Sequence, residues 1–279
     1  MALEQHPKII RATQKITDAL KRLPPRSRYS APSVFLCGGY RSLNREALRT
    51  RLEGLAGADY GVFYAEVVWD ALYDVIGANA LRMEENLAAL ADVVVIIVES
   101  PGTFAELGAF SSSPTLRKKL LLVMEDEFEF KQSFLNTGPT RWVADDSYFG
   151  GPLWCSFPLD DLALDKISER LDSRRQKSGR PRDSGDTMRQ ALNRLCDTVY
   201  IGGPCTEATL EALLTEPIGA ESGDALTLRT LLGVGQALGF IRCVSRSGRP
   251  NVYYRPIDAA TPADLLYYQD LPNPDNSRI

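Results

Sequence analysis

Ala91-Asp92-Val93-Val94-Val95-Ile96-Ile97-Val98-Glu99-Ser100-Pro101-Gly102-Thr103-Phe104-Ala105-Glu106-Leu107-Gly108-Ala109-Phe110 is the stretch whose reading decides the fold. Its run Val93–Val98 is short, β-branched and unbroken, the pattern of a strand buried on both faces. Ser-Pro-Gly breaks that strand, and Thr103 is placed to cap a new helix. Ligands of open α/β sheets bind in the crevice outside the carboxyl ends of the strands. The first turn of the new helix, with Glu106 on it, is therefore expected to face that crevice. A carboxylate there can attack or stabilise a cationic sugar carbon. It can equally do no more than complement the helix dipole.

On either side the chain alternates strand and helix. Ser33–Cys37 reads as a strand ending in Gly38-Gly39, Arg45–Leu55 as a helix, and Tyr60–Tyr64 as a second strand. Helical stretches near Val67–Val75 and Leu81–Leu90 precede the Val93–Val98 strand, and Leu120–Met124 is the next strand. A polar stretch follows that admits a further strand near Arg141–Val143, then Trp154–Pro158 and a helix from about Leu159. This alternation predicts a doubly wound, mostly parallel α/β sheet, Rossmann-like in class. The first 23 or so residues keep roughly helical spacing (Ile9, Ile10, Ile16, Ala19, Leu20, Leu23) up to Pro24-Pro25. That helix either docks on the body or a partner, or simply packs.

The 279 residues are 44% apolar, enough for two cores, and the net charge is −4. Such a balance excludes a whole-surface nucleic-acid binder and leaves room only for a local patch. Five cysteines without a Cys-x-x-Cys pair argue against a zinc site and a disulfide framework. The single histidine, His6, lies outside the α/β region, which excludes His-based acid–base chemistry and a His-ligated metal. No metal or cofactor is expected. The start has no basic n-region followed by an apolar core, and no run approaches a membrane span, so a cytoplasmic protein is expected.

Between 170 and 194, eight basic residues, among them Arg174 and Arg175, face only Asp172, Asp183 and Asp186, giving +5 locally. Gly179, Pro181 and Gly185 mark a linker there. The expected division is an N-terminal helix and linker (1–30), the α/β domain (31–178), a linker (179–186), a second domain (187–258) and a tail (259–279). The second domain reads as helices at Thr187–Val199, Glu207–Leu214 (capped by Thr206) and Thr227–Leu238 (ending at Gly239). Strands Phe240–Val244 and Asn251–Arg255 follow. Three helices and a basic hairpin resemble a winged helix-turn-helix. Arg242, Arg246 and Arg249 on or beside the wing, with Arg229 opening the preceding helix, are candidate phosphate contacts. A merely solvated hairpin is the plainer reading.

Gly102, Thr103, Glu106 and Gly108 form Gly-Thr-x-x-Glu-x-Gly after an apolar strand. This resembles the nucleoside 2-deoxyribosyltransferases, in which that Glu is the nucleophile on the sugar C1′. The family often carries an Asp two residues before the first Gly, where this chain has Ser100; Glu99 beside it is a substitute by charge, but its side chain is expected to point the other way along an extended segment. A closer resemblance, over about residues 33–143, is to deoxyribosyltransferase-like effectors encoded beside bacterial retron reverse transcriptases. It is carried by Phe35-Leu36-Cys37-Gly38-Gly39, Glu85-Asn86, Glu99-Ser100-Pro101-Gly102, Glu106-Leu107-Gly108-Ala109-Phe110, Leu116-Arg117-Lys118-Lys119-Leu120 and Ser133-Phe134-x-Asn136-x-Gly138-Pro139-x-Arg141. Those effectors also have Ser at position 100.

The resemblance implies an antiphage toxin that cleaves an N-glycosidic bond of a nucleotide-type molecule, with NAD a candidate substrate. It implies control by a reverse transcriptase and its branched RNA–DNA product, msDNA, in a homo-oligomer or higher assembly. It makes Glu106 catalytic and Gly38, Gly39, Tyr40, Glu85, Asn86, Ser100, Gly102 and Thr103 candidates for lining the substrate. The amides of Gly102 and Thr103, at a helix start, are suited to a phosphate or ribose oxygen. Glu85 and Asn86 read alternatively as a solvated helix face, and the loop 133–139 as either a closing lid or a structural turn. A salvage deoxyribosyltransferase and a nucleotide-sensing DNA-binding regulator are the competing functions.

Overall fold

The computed structural model describes residues 32–54, 60–71, 80–177, 187–213, 228–244 and 250–254, together with Arg11, Lys15 and Asp18. Most of the expected N-terminal helix, the 179–186 linker, the hairpin tip with Arg246 and Arg249, and the tail lie outside those residues. The chain divides into two compact units. One comprises Pro32–Ala65 and Gly77–Asp183; the other comprises Met1–Ala31, Glu66–Ile76 and Ser184–Ile279.

The first unit is a five-stranded sheet in the order β2-β1-β3-β4-β5. Its strands are β1 (Ser33–Cys37), β2 (Gly61–Phe63), β3 (Val93–Val98), β4 (Leu120–Glu125) and β5 (Leu153–Cys155). Every pairing is parallel. All six residues of β3 are buried, as its unbroken β-branched run demands of a central strand flanked on both edges and both faces. The register sets Val34 opposite Val93 and Cys37 opposite Ile96 on one side of β3, and Val94 opposite Leu120 on the other. Asp92 fixes the start of β1: its Oδ2 accepts from the Ser33 amide at 2.7 Å and from the Ser33 hydroxyl at 3.0 Å.

Helices α1 (Leu43–Gly54), α3 (Ala80–Leu90), α4 (Pro101–Ser112), α5 (Pro114–Arg117), α6 (Phe134–Thr137), α7 (Pro139–Asp146) and α8 (Asp161–Lys177) belong to this unit. A short helix α2 (Ala65–Ala71) follows β2, and from Glu66 it groups with the other unit. Leu48 and Leu52 of α1 and Ile167 and Leu171 of α8 join Val34, Leu36, Val95 and Leu121 in one apolar core.

Two expectations are corrected. Residues 141–143 are helical, inside α7, and the next strand is β5. Pro139 sits at the start of α7, where a missing N–H costs nothing, so the proline opens a helix there. The helix after β3 begins at Pro101 with Ser100 as its cap, and Thr103 is its third residue.

In the second unit α9 (Thr187–Gly202), β6 (Cys205–Thr206), α10 (Glu207–Leu213), α11 (Leu228–Ala237), β7 (Arg242–Val244) and β8 (Val252–Tyr254) follow one another. The three strands form an antiparallel sheet in the order β6-β8-β7. The Thr206 hydroxyl accepts from the Thr209 amide at 3.2 Å and caps α10. Gly239, at φ 74°, ends α11 in the left-handed region that glycine enters without steric cost. Helix, short strand, two helices and a hairpin make a small α+β antiparallel subdomain of winged-helix-like order.

Candidate active site at the carboxyl ends of β1 and β3

Strand order 2-1-3-4-5 places the topological switch point between β1 and β3. Successive connections leave to opposite sides there, and a crevice opens at the strand ends. The chain returns to that crevice three times: at Cys37-Gly38-Gly39 after β1, at Tyr64 after β2, and at Glu99-Ser100 after β3.

Glu106 lies on the second turn of α4, a correction to its expected first-turn position that follows from the helix starting at Pro101. It is half-buried, and its Oε2 atom is shielded from solvent. Its carboxylate meets the Cys37 thiol. That thiol is held well above its ordinary pKa by burial first, then by the charges of Glu106 and Glu84 and by its hydrogen bond to Glu106, against the pull of Arg45. A protonated thiol, two carboxylates and a guanidinium therefore converge at the end of β1.

Arg45, on α1, is 6% exposed. Its guanidinium stands 4.3 Å from the centroid of the Tyr64 ring, a cation–π contact strengthened by desolvation. Its stem also explains Gly38: a Cβ there would come within 3.0 Å of Arg45 Cδ and 3.2 Å of Arg45 Cβ. At Gly39 a Cβ would approach the Glu99 carboxylate at 3.4 Å. Gly38 makes room for the Arg45 stem, whereas a Cβ at Gly39 would meet Glu99 in ordinary van der Waals contact.

Glu99 is tied on both oxygens. The Gly39 amide donates to Oε1 at 2.8 Å, and Asn44 Nδ2 donates to Oε2 at 2.8 Å. Asn44 Oδ1 accepts in turn from the Leu159 amide at 2.7 Å. Behind Glu99, Ser100 and Thr103 form a capping box. The Ser100 Oγ accepts from the Thr103 amide at 3.3 Å, while the Thr103 Oγ1 accepts from the Ser100 and Glu99 amides at 3.0 and 3.1 Å. Thr103 is fully buried, and its hydroxyl donates to the Ser100 carbonyl at 2.8 Å.

The candidates from sequence thus separate. Gly38, Gly39, Ser100, Gly102, Thr103 and Glu106 gather at the β1 and β3 ends, with the hydroxyls of Ser100 and Thr103 spent on the cap. Tyr40 is 76% exposed, under the Arg41 guanidinium at 5.2 Å. Glu85 is exposed and Asn86 half-buried. The neighbouring Glu84 is the residue whose charge reaches Cys37. It stands three and four residues before the buried Leu87 and Ala88, so helical spacing turns it toward the sheet. That spacing was the available signal, and it singles out Glu84 over Glu85. Cys37, Asn44 and Arg45 were missed as site residues, and Glu99 was set aside on its direction along the strand, because their meeting depends on the β1–β3 pairing and on α1.

Residues 133–139, expected as a loop, hold the one-turn helix α6 capped by Ser133, and Asn136 Nδ2 donates to the Phe128 and Lys131 carbonyls, each at 2.8 Å, stapling it as a structural turn. Among the described residues no group of three or more His, Cys, Asp or Glu is placed to hold a metal ion, and no helix is long and apolar enough to cross a membrane.

Of the candidate phosphate contacts, Arg174 and Arg175 fall on α8. Arg242 is exposed on β7. Arg229, exposed on α11, pairs with Glu207 at 3.0 Å. Glu207 also accepts from the Tyr253 hydroxyl at 3.0 Å, and burial, followed by that carboxylate, pushes the Tyr253 phenol up.

A parallel sheet of flavodoxin-like order with a carboxylate at its switch point defines a deoxyribosyltransferase-like α/β unit. Comparison with known families goes further: residues 41–243 match the STM3845 retron effector protein family, and the chain belongs to it. Two relatives come from Escherichia coli. The protein named "Retron Ec86 putative ribosyltransferase/DNA-binding protein" is 40% identical over 112 residues, 39% of this chain and 36% of that protein. The protein named "Retron Ec73 putative ribosyltransferase/DNA-binding protein" is 29% identical over 248 residues, 79% of this chain and 76% of that protein. The chain therefore matches about a third of the length of the first relative and three quarters of the second.

Proposed function

We propose that this chain is the toxic effector of a retron antiphage system and that its α/β unit cleaves the N-glycosidic bond of a nucleotide-type substrate. The observation that carries the reading is the position of Glu106 at the β1–β3 switch point, with one carboxylate oxygen shielded from water and the thiol of Cys37 against it. An anion so placed beneath a sugar C1′ stabilises the positive charge that grows as the C–N bond breaks, or forms a bond to that carbon. The bonding electrons leave with the base, and water or another acceptor completes the exchange at C1′.

The substrate reading follows from Ser100. Its hydroxyl is committed to the helix cap and supplies no carboxylic acid to protonate a departing base. A base that is already cationic leaves without that proton, which favours the nicotinamide of NAD. The retron relatives' names join ribosyltransferase and DNA-binding in one protein. In this chain the second unit takes the nucleic-acid role, contacting msDNA and its reverse transcriptase, which restrain or release the enzyme.

The test is Glu106→Gln, which keeps the size of the side chain and removes the anion. In the effector assembled with its reverse transcriptase and msDNA, and triggered, wild type is expected to release nicotinamide from NAD. The Gln variant is expected to leave NAD intact with an unchanged fold by circular dichroism. Turnover by the variant would sink the role of Glu106. Release of another base with NAD intact would replace the substrate and keep the reaction class.

A further inference from the structure

Glu99 and Asn44 form a polar chain whose direction is fixed at both ends. A backbone amide can only donate, so the Leu159 amide, 2.7 Å from Asn44, requires the Asn44 oxygen to face it. The Asn44 amino group is then turned to Glu99 Oε2 at 2.8 Å, and the Gly39 amide takes Oε1 at 2.8 Å. Asn44 is 7% exposed, so no water readily replaces a lost partner. The chain joins three loops at the carboxyl end of the sheet: the β1–α1 turn, the β3–α4 turn that sets the entry of the Glu106 helix, and the β5–α8 connection. Glu99 has both oxygens occupied by the protein itself.

We infer that Glu99 and Asn44 are a positioning pair that orders the strand-end loops around Glu106, and that Glu99 is not a substrate-handling carboxylate. As far as it concerns catalysis, the inference rests on the reading of Glu106 given above. Its physical content is the order of donors and acceptors. Glu99→Gln sets an amino group against the Asn44 amino group. Asn44→Asp sets two carboxylates against each other. The double variant Glu99→Gln/Asn44→Asp restores all three bonds, with only the one between positions 99 and 44 reversed in direction. The amide oxygen introduced at position 99 accepts from Gly39, and the amino group beside it donates to the carboxylate introduced at position 44. That carboxylate accepts from Leu159. The net charge is unchanged.

The experiment is a double-mutant cycle on the full chain. Hydrogen exchange of the Gly39 and Leu159 amides is read alongside kcat and KM for base release. Each single variant is expected to lose about tenfold or more of the protection of at least one of those amides, the worth of one buried hydrogen bond. Each is expected to lower kcat more than KM is raised. The double variant is expected to return protection and kcat to within about threefold of wild type, as a restored hydrogen-bond order requires. Wild-type protection in Glu99→Gln would overturn the inference. So would a double variant that regains protection but not kcat, because the carboxylate at 99 would then be needed by the reaction itself. If the wild type cleaves no nucleotide, the glycosidase reading fails, and the exchange cycle alone still decides whether the pair orders the loops.

Discussion

The favourable field of a helix N-terminus fades within its first turn, and Glu106 stands on the second turn of α4. Complementing the dipole therefore does not account for a carboxylate that is half-buried against the Cys37 thiol. Tyr64, at the end of β2, reports on the same crevice by titration. Burial first, then Glu46, push its phenol up to about 12 against the pull of Arg49. A value raised above the ordinary 10.0 means that folding favours the neutral phenol. That stabilisation is complete below about pH 10 and is lost as the pH climbs toward 12. Tyr64→Phe cannot ionise, so its stability should fall less steeply than that of wild type across this window. Urea unfolding at a series of alkaline pH values checks it; parallel curves would refute the assignment. At this scale the placement of Glu106 on the helix after β3 was legible, because a short motif after a strand fixes it locally, while its turn of the helix was not, because the helix starts earlier, at Pro101. Glu99 was not, because an extended segment alone does not show that the Gly39 amide and Asn44 are waiting for its carboxylate.

Among the elements, residues of the resemblance motifs serve as joints. Lys119 donates to the Ala89 and Ala91 carbonyls at 2.8 and 2.7 Å, satisfying the end of α3 just before β3. Lys119→Met keeps the apolar stem and removes both charge-assisted bonds. It should cost about 2 kcal/mol, measurable by chemical denaturation. Ser100→Ala removes the cap of α4 and should cost about 1 kcal/mol. Because that cap sets the entry of the Glu106 helix, its activity should fall while KM changes little; an unchanged kcat would separate the cap from the chemistry. Long apolar strands and capped helices were readable from sequence, since burial and helix ends leave local signatures. The short α7 was not: Trp142 and Val143 suit a strand as well as a helix, and only the role of Pro139 as a helix opener decides between them.

Over the whole molecule, the strand order was beyond the sequence, which showed alternation but not which strand neighbours which. The order matters, because it makes β1 and β3 adjacent and so brings Cys37, Glu99 and Glu106 to one crevice. The grouping of 66–76 with the C-terminal unit was equally hidden, since nothing in its composition differs from the helices around it. Charge, by contrast, is visible at any scale. A chain of net charge −4 that grips msDNA must do so through a local patch. Arg229 is a poor member of it, being engaged by Glu207 at 3.0 Å. Under the proposed function the remaining candidates fall in two places, Arg174 and Arg175 on α8 of the first unit and Arg246 and Arg249 in the second. Reversing all four to Glu should weaken co-purification with the reverse transcriptase–msDNA complex. Each phosphate no longer neutralised should also flatten the dependence of log K on log salt by roughly 0.9 on duplex DNA. Glu106 and the parallel sheet carry no substitution, so the first unit should stay folded, and under the proposed function the failure should appear in control and phage defence. Arg229→Glu is the informative companion. It should destabilise the small unit through repulsion from Glu207, yet leave the salt slope of whatever remains bound unchanged. Retention of the quadruple variant with the wild-type salt slope would mean that these arginines are an ordinary solvated surface and that the partner is held elsewhere.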